Sequence, residues 1–125
     1  MVLVDTSVWI RFLAGREPYA RTLDLLLAND RVLRHDLVEG ELLIGDAGGR
    51  AEFLAAYAAI HRAAAVPHAE VANFVRGRRI QGRGIGWIDA HLLASSLVER
   101  CRLWTADVTL ADMAAKLGVG YTAQP

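Results

Sequence analysis

The chain has 125 residues, 54% of them hydrophobic and 22% charged, which suits one compact domain with an ordinary core and excludes a disordered chain. Its 14 basic and 14 acidic residues cancel to a net charge of zero, so no global field draws it to nucleic acid and any such contact has to be local. A single cysteine, Cys101, excludes an internal disulfide framework and a cysteine-based zinc site, and reads as a small apolar residue beside a strand. Charges interrupt every apolar stretch well short of the roughly 20 residues that span a bilayer. No basic segment precedes the first apolar run, and Asp5 arrives too early for a signal peptide, so a cytoplasmic protein is expected. All the basic residues except Lys116 are arginines, whose planar fork suits phosphate.

Val2-Leu3-Val4 is a short apolar, β-branched run stopped by Asp5, as in a buried strand. Thr6 and Ser7 are candidate caps for a helix through Val8, Trp9, Ile10, Phe12 and Leu13, which Gly15 ends. Pro18 opens a second helical segment with Leu23, Leu26 and Leu27. Arg31 to His35 alternates like a strand, and Leu37 to Gly45 follows as a short helix containing Glu41. The alanine-rich stretch Arg50 to Ala65 predicts a long helix, with Phe53, Leu54, Tyr57 and Ile60 at helical spacing. Ala65-Val66 is a candidate third strand before Pro67. His68 to Gln81 predicts another helix, and Gly82, Gly84 and Gly86 a flexible connection. Trp87 to Arg100 is helical again, Arg102 to Thr105 a strand, Asp107 to Leu117 a helix, and Val119 to Tyr121 a final strand.

Strands alternating with helices imply a parallel sheet covered on both faces, an α/β fold in one domain over residues 1–125. In such sheets functional groups gather beyond the carboxyl ends of the strands. Asp5 and Asp107 both stand just past a predicted strand, Glu41 on the helix after the second, and Asp89 at the start of a helix. Four acids remote in sequence can therefore converge. Each also has a plainer role: Asp5 and Asp107 as helix caps, Asp89 as a first-turn acid suited to the helix dipole, Glu41 as a solvated glutamate like its neighbour Glu39. Gathered carboxylates repel and raise one another's pKa, and a divalent cation removes that cost. Oxygen-only ligands favour Mg²⁺ or Mn²⁺ over zinc, and such ions serve phosphodiester hydrolysis.

At these residues the chain resembles the PIN-domain ribonucleases, particularly the VapC toxins of bacterial toxin–antitoxin pairs. The matching segments are Val2-Leu3-Val4-Asp5-Thr6-Ser7-Val8-Trp9-Ile10, Glu41-Leu42-Leu43-Ile44-Gly45, Ile88-Asp89-Ala90-His91-Leu92-Leu93-Ala94 and Leu103-Trp104-Thr105-Ala106-Asp107. They fall in the family's order and span most of the chain. The resemblance implies a three-layer α/β/α sandwich and an RNA-cleaving site in which Asp5, Glu41, Asp89 and Asp107 hold Mg²⁺ or Mn²⁺. It implies that Ser7 and Thr105 orient ligands or waters beside the metal, although Ser7 also reads as a helix cap. It further implies a homodimer and a cognate VapB-like antitoxin whose C-terminal segment fills the active-site groove. Family members carry another acid shortly after the fourth; here Thr109 stands at the nearest such position, with Asp112 farther along the helix.

Arg76, Arg78, Arg79 and Arg83 form the densest basic stretch and directly precede Asp89, so the segment is a candidate for contact with an RNA backbone. A solvated, charge-rich helix end is the plainer alternative. Trp9 and Trp104 read as core residues, and Trp87 as packing against the sheet or stacking on a base. His35, His61, His68 and His91 show no spacing for joint catalysis; His91, two residues past Asp89, points to a different side of its helix. Competing functions fit less well. A haloacid-dehalogenase-like phosphatase needs an acid where Ser7 stands, and a response-regulator receiver needs a lysine after a late strand, whereas Lys116 lies within a predicted helix. A non-catalytic interaction module on the same fold has to leave all four acids unused.

Overall fold

The computed structural model describes residues 1–123, and positions 124 and 125 of the expected single domain lie outside the described residues. Val2–Val4 form the first strand, β1, and all three side chains are buried. Successive side chains on a strand point to opposite faces, so this burial means that both faces of β1 are covered. β1 is the centre of a parallel sheet, flanked by β2 (Val32–Leu33) and β3 (Arg102–Trp104) in the order β2-β1-β3. The register sets Leu3 opposite Leu33 on one side and Leu103 on the other, with Val4 opposite Trp104. Single parallel bridges, Arg34 with Arg62 and Leu103 with Gly120, widen the sheet at each edge.

Among the described residues seven helices connect and cover these strands: α1 (Thr6–Leu13), α2 (Tyr19–Ala28), α3 (Asp36–Ile44), α4 (Ala51–Ala58), α5 (His68–Gly77), α6 (Trp87–Glu99) and α7 (Val108–Lys116). They pack as neighbours α1 with α2, α3 with α4 and α5 with α6, while α6 and α7 lie against β3. The architecture is the three-layer α/β/α sandwich with a parallel central sheet. Leu3, Val4, Val8, Leu92, Leu93 and Leu103 are sealed in its core, each contributing about 1.5–3 kcal/mol by burial. Trp9 joins them at the hub of an aromatic cluster, with ring centroids 5.7, 5.6 and 5.3 Å from Phe12, Phe53 and Tyr57. Trp104 is buried as well, so both tryptophans are core residues as expected. No helix among the described residues is long and apolar enough to cross a membrane.

Four expectations change. The helix predicted over Arg50 to Ala65 stops at Ala58, because residues 61–63 run alongside β2 instead: the Arg34 amide donates to the His61 carbonyl and the Ala63 amide to the Arg34 carbonyl. The third strand therefore shrinks to the Arg62 bridge and does not form at Ala65-Val66. The helix predicted over His68 to Gln81 ends at Gly77, after which Arg79 turns into the left-handed region at φ +55° and Ile80 is buried. The final strand, Val119 to Tyr121, is reduced to the Gly120 bridge.

Candidate active site

The register that aligns Val4 with Trp104 brings the next residues, Asp5 and Thr105, to the same carboxyl edge of the sheet. The Asp5 amide continues the ladder by donating to the Trp104 carbonyl at 2.9 Å. Asp5 is also the residue on which α1 starts, and its own carbonyl accepts from the Val8 amide. Thr6 and Ser7 are thus the first helical residues rather than caps, and their hydroxyls are free for other work.

Asp5 is 6% exposed, and its Oδ2 accepts from the Ser7 hydroxyl at 2.6 Å and the Thr105 hydroxyl at 2.8 Å. A hydroxyl has one proton, so each is committed to Asp5 and can only accept elsewhere. Each does: Ser7 Oγ accepts from the Ala106 amide and Thr105 Oγ1 from the Asp107 amide, both at 3.0 Å. The 3.3 Å approach of the two hydroxyl oxygens therefore carries no proton of its own. The outcome is a clamp that holds one oxygen of Asp5 and ties it to the turn bearing Asp107.

The other acids are placed by neighbouring elements. Glu41, exposed on α3, accepts at Oε1 from the Thr6 hydroxyl at 2.6 Å, which links it to the residue after Asp5. Asp107 caps α7, with Oδ1 accepting from the Leu110 amide at 3.1 Å. Its capping role is real, and it occupies a single oxygen. Asp89 lies half-buried in the first turn of α6, which Gly86 precedes as the N-cap. Burial pushes the Asp89 carboxyl up to about 6, the negative charge of Asp5 adds to the rise, a backbone hydrogen bond from Gly86 opposes it, and Asp107 and Glu41 add further. The four predicted acids therefore share one electrostatic field. None of them is within ion-pair distance of a basic side chain among the described residues.

This donor set suits a hard divalent cation: carboxylates with unspent oxygens, no thiolate, and, among the described residues, no basic side chain within ion-pair distance. No three acidic, histidine or cysteine side chains among the described residues stand at direct ligating spacing.

Of the remaining candidates, Arg76 lies in the last turn of α5, Arg78 and Arg79 follow the helix, and Arg83 lies in the loop before α6; all four are exposed. Thr109 and Asp112 sit exposed on α7, and the Thr109 methyl lies 3.4 Å from where a Cβ on Gly84 would stand. Gly84 itself has φ +79°, so the loop accepts only glycine there without strain. Trp87 does not pack on the sheet. It is 44% exposed and rests against His68 and His91, with centroids 4.9 and 5.0 Å away.

Sequence reasoning missed the Thr6–Glu41 bond, because Thr6 had a ready explanation as a cap. It also missed His35, which is buried beneath the site and caps α3: its Nδ1 accepts from the Leu37 amide at 3.1 Å. The Ser95 hydroxyl donates to the Ala64 carbonyl, so at its 3.0 Å contact with His35 it accepts from Nε2. His35 is therefore the neutral tautomer protonated on Nε2.

The PIN domain family profile matches residues 2–116 of the chain. Two curated relatives, each named Ribonuclease VapC32 and coming from Mycobacterium tuberculosis strains CDC 1551 and H37Rv, are 42% identical over 120 residues, covering 95% of this chain and 94% of each relative.

Proposed function

Because the chain belongs to the PIN-domain family, we propose that it is a metal-dependent endoribonuclease, the VapC-type toxin of a toxin–antitoxin pair. The observation that carries this reading is the rise of Asp89 to about 6 under burial and the charges of Asp5, Asp107 and Glu41. Carboxylates held together without a basic partner raise the energy of the empty site, and that cost makes sense where a cation offsets it.

Asp5, Glu41, Asp89 and Asp107 would hold Mg²⁺ or Mn²⁺, which when bound supplies an activated water and neutralises charge on the phosphodiester. Ser7 and Thr105 fix the direction of Asp5 by occupying its Oδ2, and Thr6 does the same for Glu41. The Leu110 amide restrains Asp107. With these hydroxyls and amides satisfied before substrate arrives, little reorganisation remains for the chemical step. Arg76, Arg78, Arg79 and Arg83 contact the RNA backbone in this reading, since they are exposed and precede α6.

The VapC relationship also supports a VapB-like antitoxin, a homodimer and work in the cytoplasm. A 240 Å³ groove between α1 and α3, lined by Thr6, Ile10, Leu13, Glu41, Leu42 and Arg50, adjoins Glu41 and suits an antitoxin segment. Ile10 and the nearby Leu43 are 57% and 55% exposed, an apolar surface of the kind that a partner covers.

Incubation of the purified protein with single-stranded RNA tests the proposal. Cleavage is expected with Mg²⁺ or Mn²⁺ and is lost with a chelator or in Asp5→Asn. Products should carry 5′-phosphate and 3′-hydroxyl ends. A 2′,3′-cyclic phosphate would mean attack by the ribose hydroxyl and would overturn the water mechanism.

A further inference from the structure

Three tryptophans occur in the chain, and two of them are sealed in the core at 1% and 3% exposure, whereas Trp87 is 44% exposed. A large aromatic left nearly half exposed forgoes much of the gain from burial, so its placement asks for another explanation. Trp87 opens α6, two residues before Asp89. It is braced on one side by His68, tilted at 51°, and on another by His91, edge-on at 88°. These two ring contacts restrict the rotamers open to the indole.

Trp87 also lines an open groove of 400 Å³ together with Ala72, Val75, Arg76 and Gln81. α5 supplies the apolar floor through Ala72 and Val75. Arg76 stands at the rim, where its guanidinium donates to the Asn73 side chain at 3.2 Å. Neither Arg76 nor Arg78, Arg79 or Arg83 lies within ion-pair distance of a carboxylate among the described residues. The groove thus combines a restrained aromatic plate, an apolar floor, a side-chain amide and a cation without a carboxylate counterpart. An unpaired nucleotide has the complementary parts: a flat π-face, polar base edges and a phosphate. A base pair inside a duplex hides the faces of its bases and cannot use the plate.

Resting on the ribonuclease reading for the identity of the ligand, we propose that the Trp87–Arg76 groove is a subsite for one unpaired RNA nucleotide, its base stacked on the Trp87 indole and its phosphate paired with Arg76. The subsite makes single-strandedness a condition of good binding. Arg76 positions the backbone, and Trp87 discriminates an open strand from a paired one without reading a particular base, because every base has a π-face.

Intrinsic fluorescence reads this subsite directly, since the other two tryptophans are buried. With chelator present to prevent turnover, a short unstructured single-stranded RNA is expected to quench the wild-type protein saturably. A duplex of the same sequence is expected to leave the fluorescence unchanged. Trp87→Phe keeps a stacking ring, so it should lose the quench while binding a dye-labelled single strand within about threefold of wild type by anisotropy. Trp87→Ala should weaken that binding about tenfold or more, in line with base–aromatic stacking. Arg76→Gln should weaken it and lower the log–log salt slope by about one. A quench that persists in Trp87→Phe, an equal quench by duplex, or unchanged affinity in Trp87→Ala overturns the subsite. Because turnover plays no part in these readouts, the two proposals fail separately. The expected binding without Mg²⁺- or Mn²⁺-dependent cleavage supports the subsite and overturns the nuclease, whereas cleavage with no quench by single-stranded RNA overturns the subsite alone.

Discussion

Thr105 and Asp5, one hundred positions apart, meet through a 2.8 Å hydrogen bond from the threonine hydroxyl to the aspartate Oδ2. The same hydroxyl oxygen accepts from the Asp107 amide, so one small side chain fixes the end of β1 and the turn after β3 together.

Thr105→Val keeps the β-branched shape and removes both bonds. Stability should fall by about 1–2 kcal/mol, the usual cost of leaving partly buried partners unmade. Metal affinity or cleavage should fall about 10- to 100-fold, as for other groups that orient ligands. Urea unfolding and titration of Mn²⁺ measure the two effects, and Thr105→Ser should recover most of each. A valine variant with wild-type Mn²⁺ affinity would show that Thr105 has no orienting role.

Asp107 both caps α7 and contributes charge to the acidic field, and two substitutions separate those contributions. Asn is as good a cap as Asp, so Asp107→Asn should unfold within about 0.5 kcal/mol of wild type, whereas Asp107→Ala should cost about 1 kcal/mol. Cleavage should be lost in both. If Asn retains cleavage while Ala loses it, the cap alone is what the site requires.

The raised pKa of Asp89 predicts how the metal-free protein responds to pH. Its carboxyl titrates near 6 when folded against an ordinary 3.8, so between these values the folded state holds the extra proton. Stability of the metal-free protein should therefore fall as pH rises from about 4 to about 6 and then level off. Asp89→Asn should remove this contribution, and saturating Mg²⁺ or Mn²⁺ should flatten it. Chemical unfolding at several pH values, with and without chelator, provides the check. An unchanged slope in Asp89→Asn would assign it to other groups.

His35 contributes in the opposite direction. Burial holds its imidazole below the ordinary 6.5, against a weaker upward pull from Asp36, and its Nδ1 lone pair is used as the α3 cap. Below pH 6.5 the unfolded chain gains a proton that the folded chain resists, so this contribution to stability is complete above 6.5 and is lost as pH falls through the folded-state value. His35→Asn, whose side-chain oxygen can also cap, should be less acid-sensitive than wild type in the same unfolding series. Equal acid sensitivity of the two proteins would exclude His35 as its source.

The buried strand at Val2–Val4 and the acids that follow strands were legible because each stands beside an apolar run whose period is unambiguous, whereas the hydroxyls of Ser7 and Thr105 were singled out only by the resemblance to the family. The end of α4 was not. Alanines continue to Ala65 with good helix propensity, yet the chain leaves the helix after Ala58 to extend the sheet at Arg62. Arg34 secures that path, since its guanidinium donates to the Ile60 carbonyl at 2.8 Å and pairs with Asp36 and Glu39, while Arg62 pairs with Asp36 from the other side. Those partners come from another stretch of chain, and no local pattern reveals them. For Trp87 the sequence left packing on the sheet and stacking on a base both open, because an aromatic at a helix start resembles a core residue until His68 and His91 are seen to brace it at the surface.

The bond between Asp5 and Thr105 has a bearing on the chain's synthesis. A nascent polypeptide carries Asp5 and Glu41 well before it carries Thr105 and Asp107. Until then Asp5 has no strand β3 beside it and no threonine to orient it. The site consequently cannot assemble before the stretch from Arg102 to Asp107 has been made, and under the proposed function a chain stalled before Arg102 is expected to cleave no RNA.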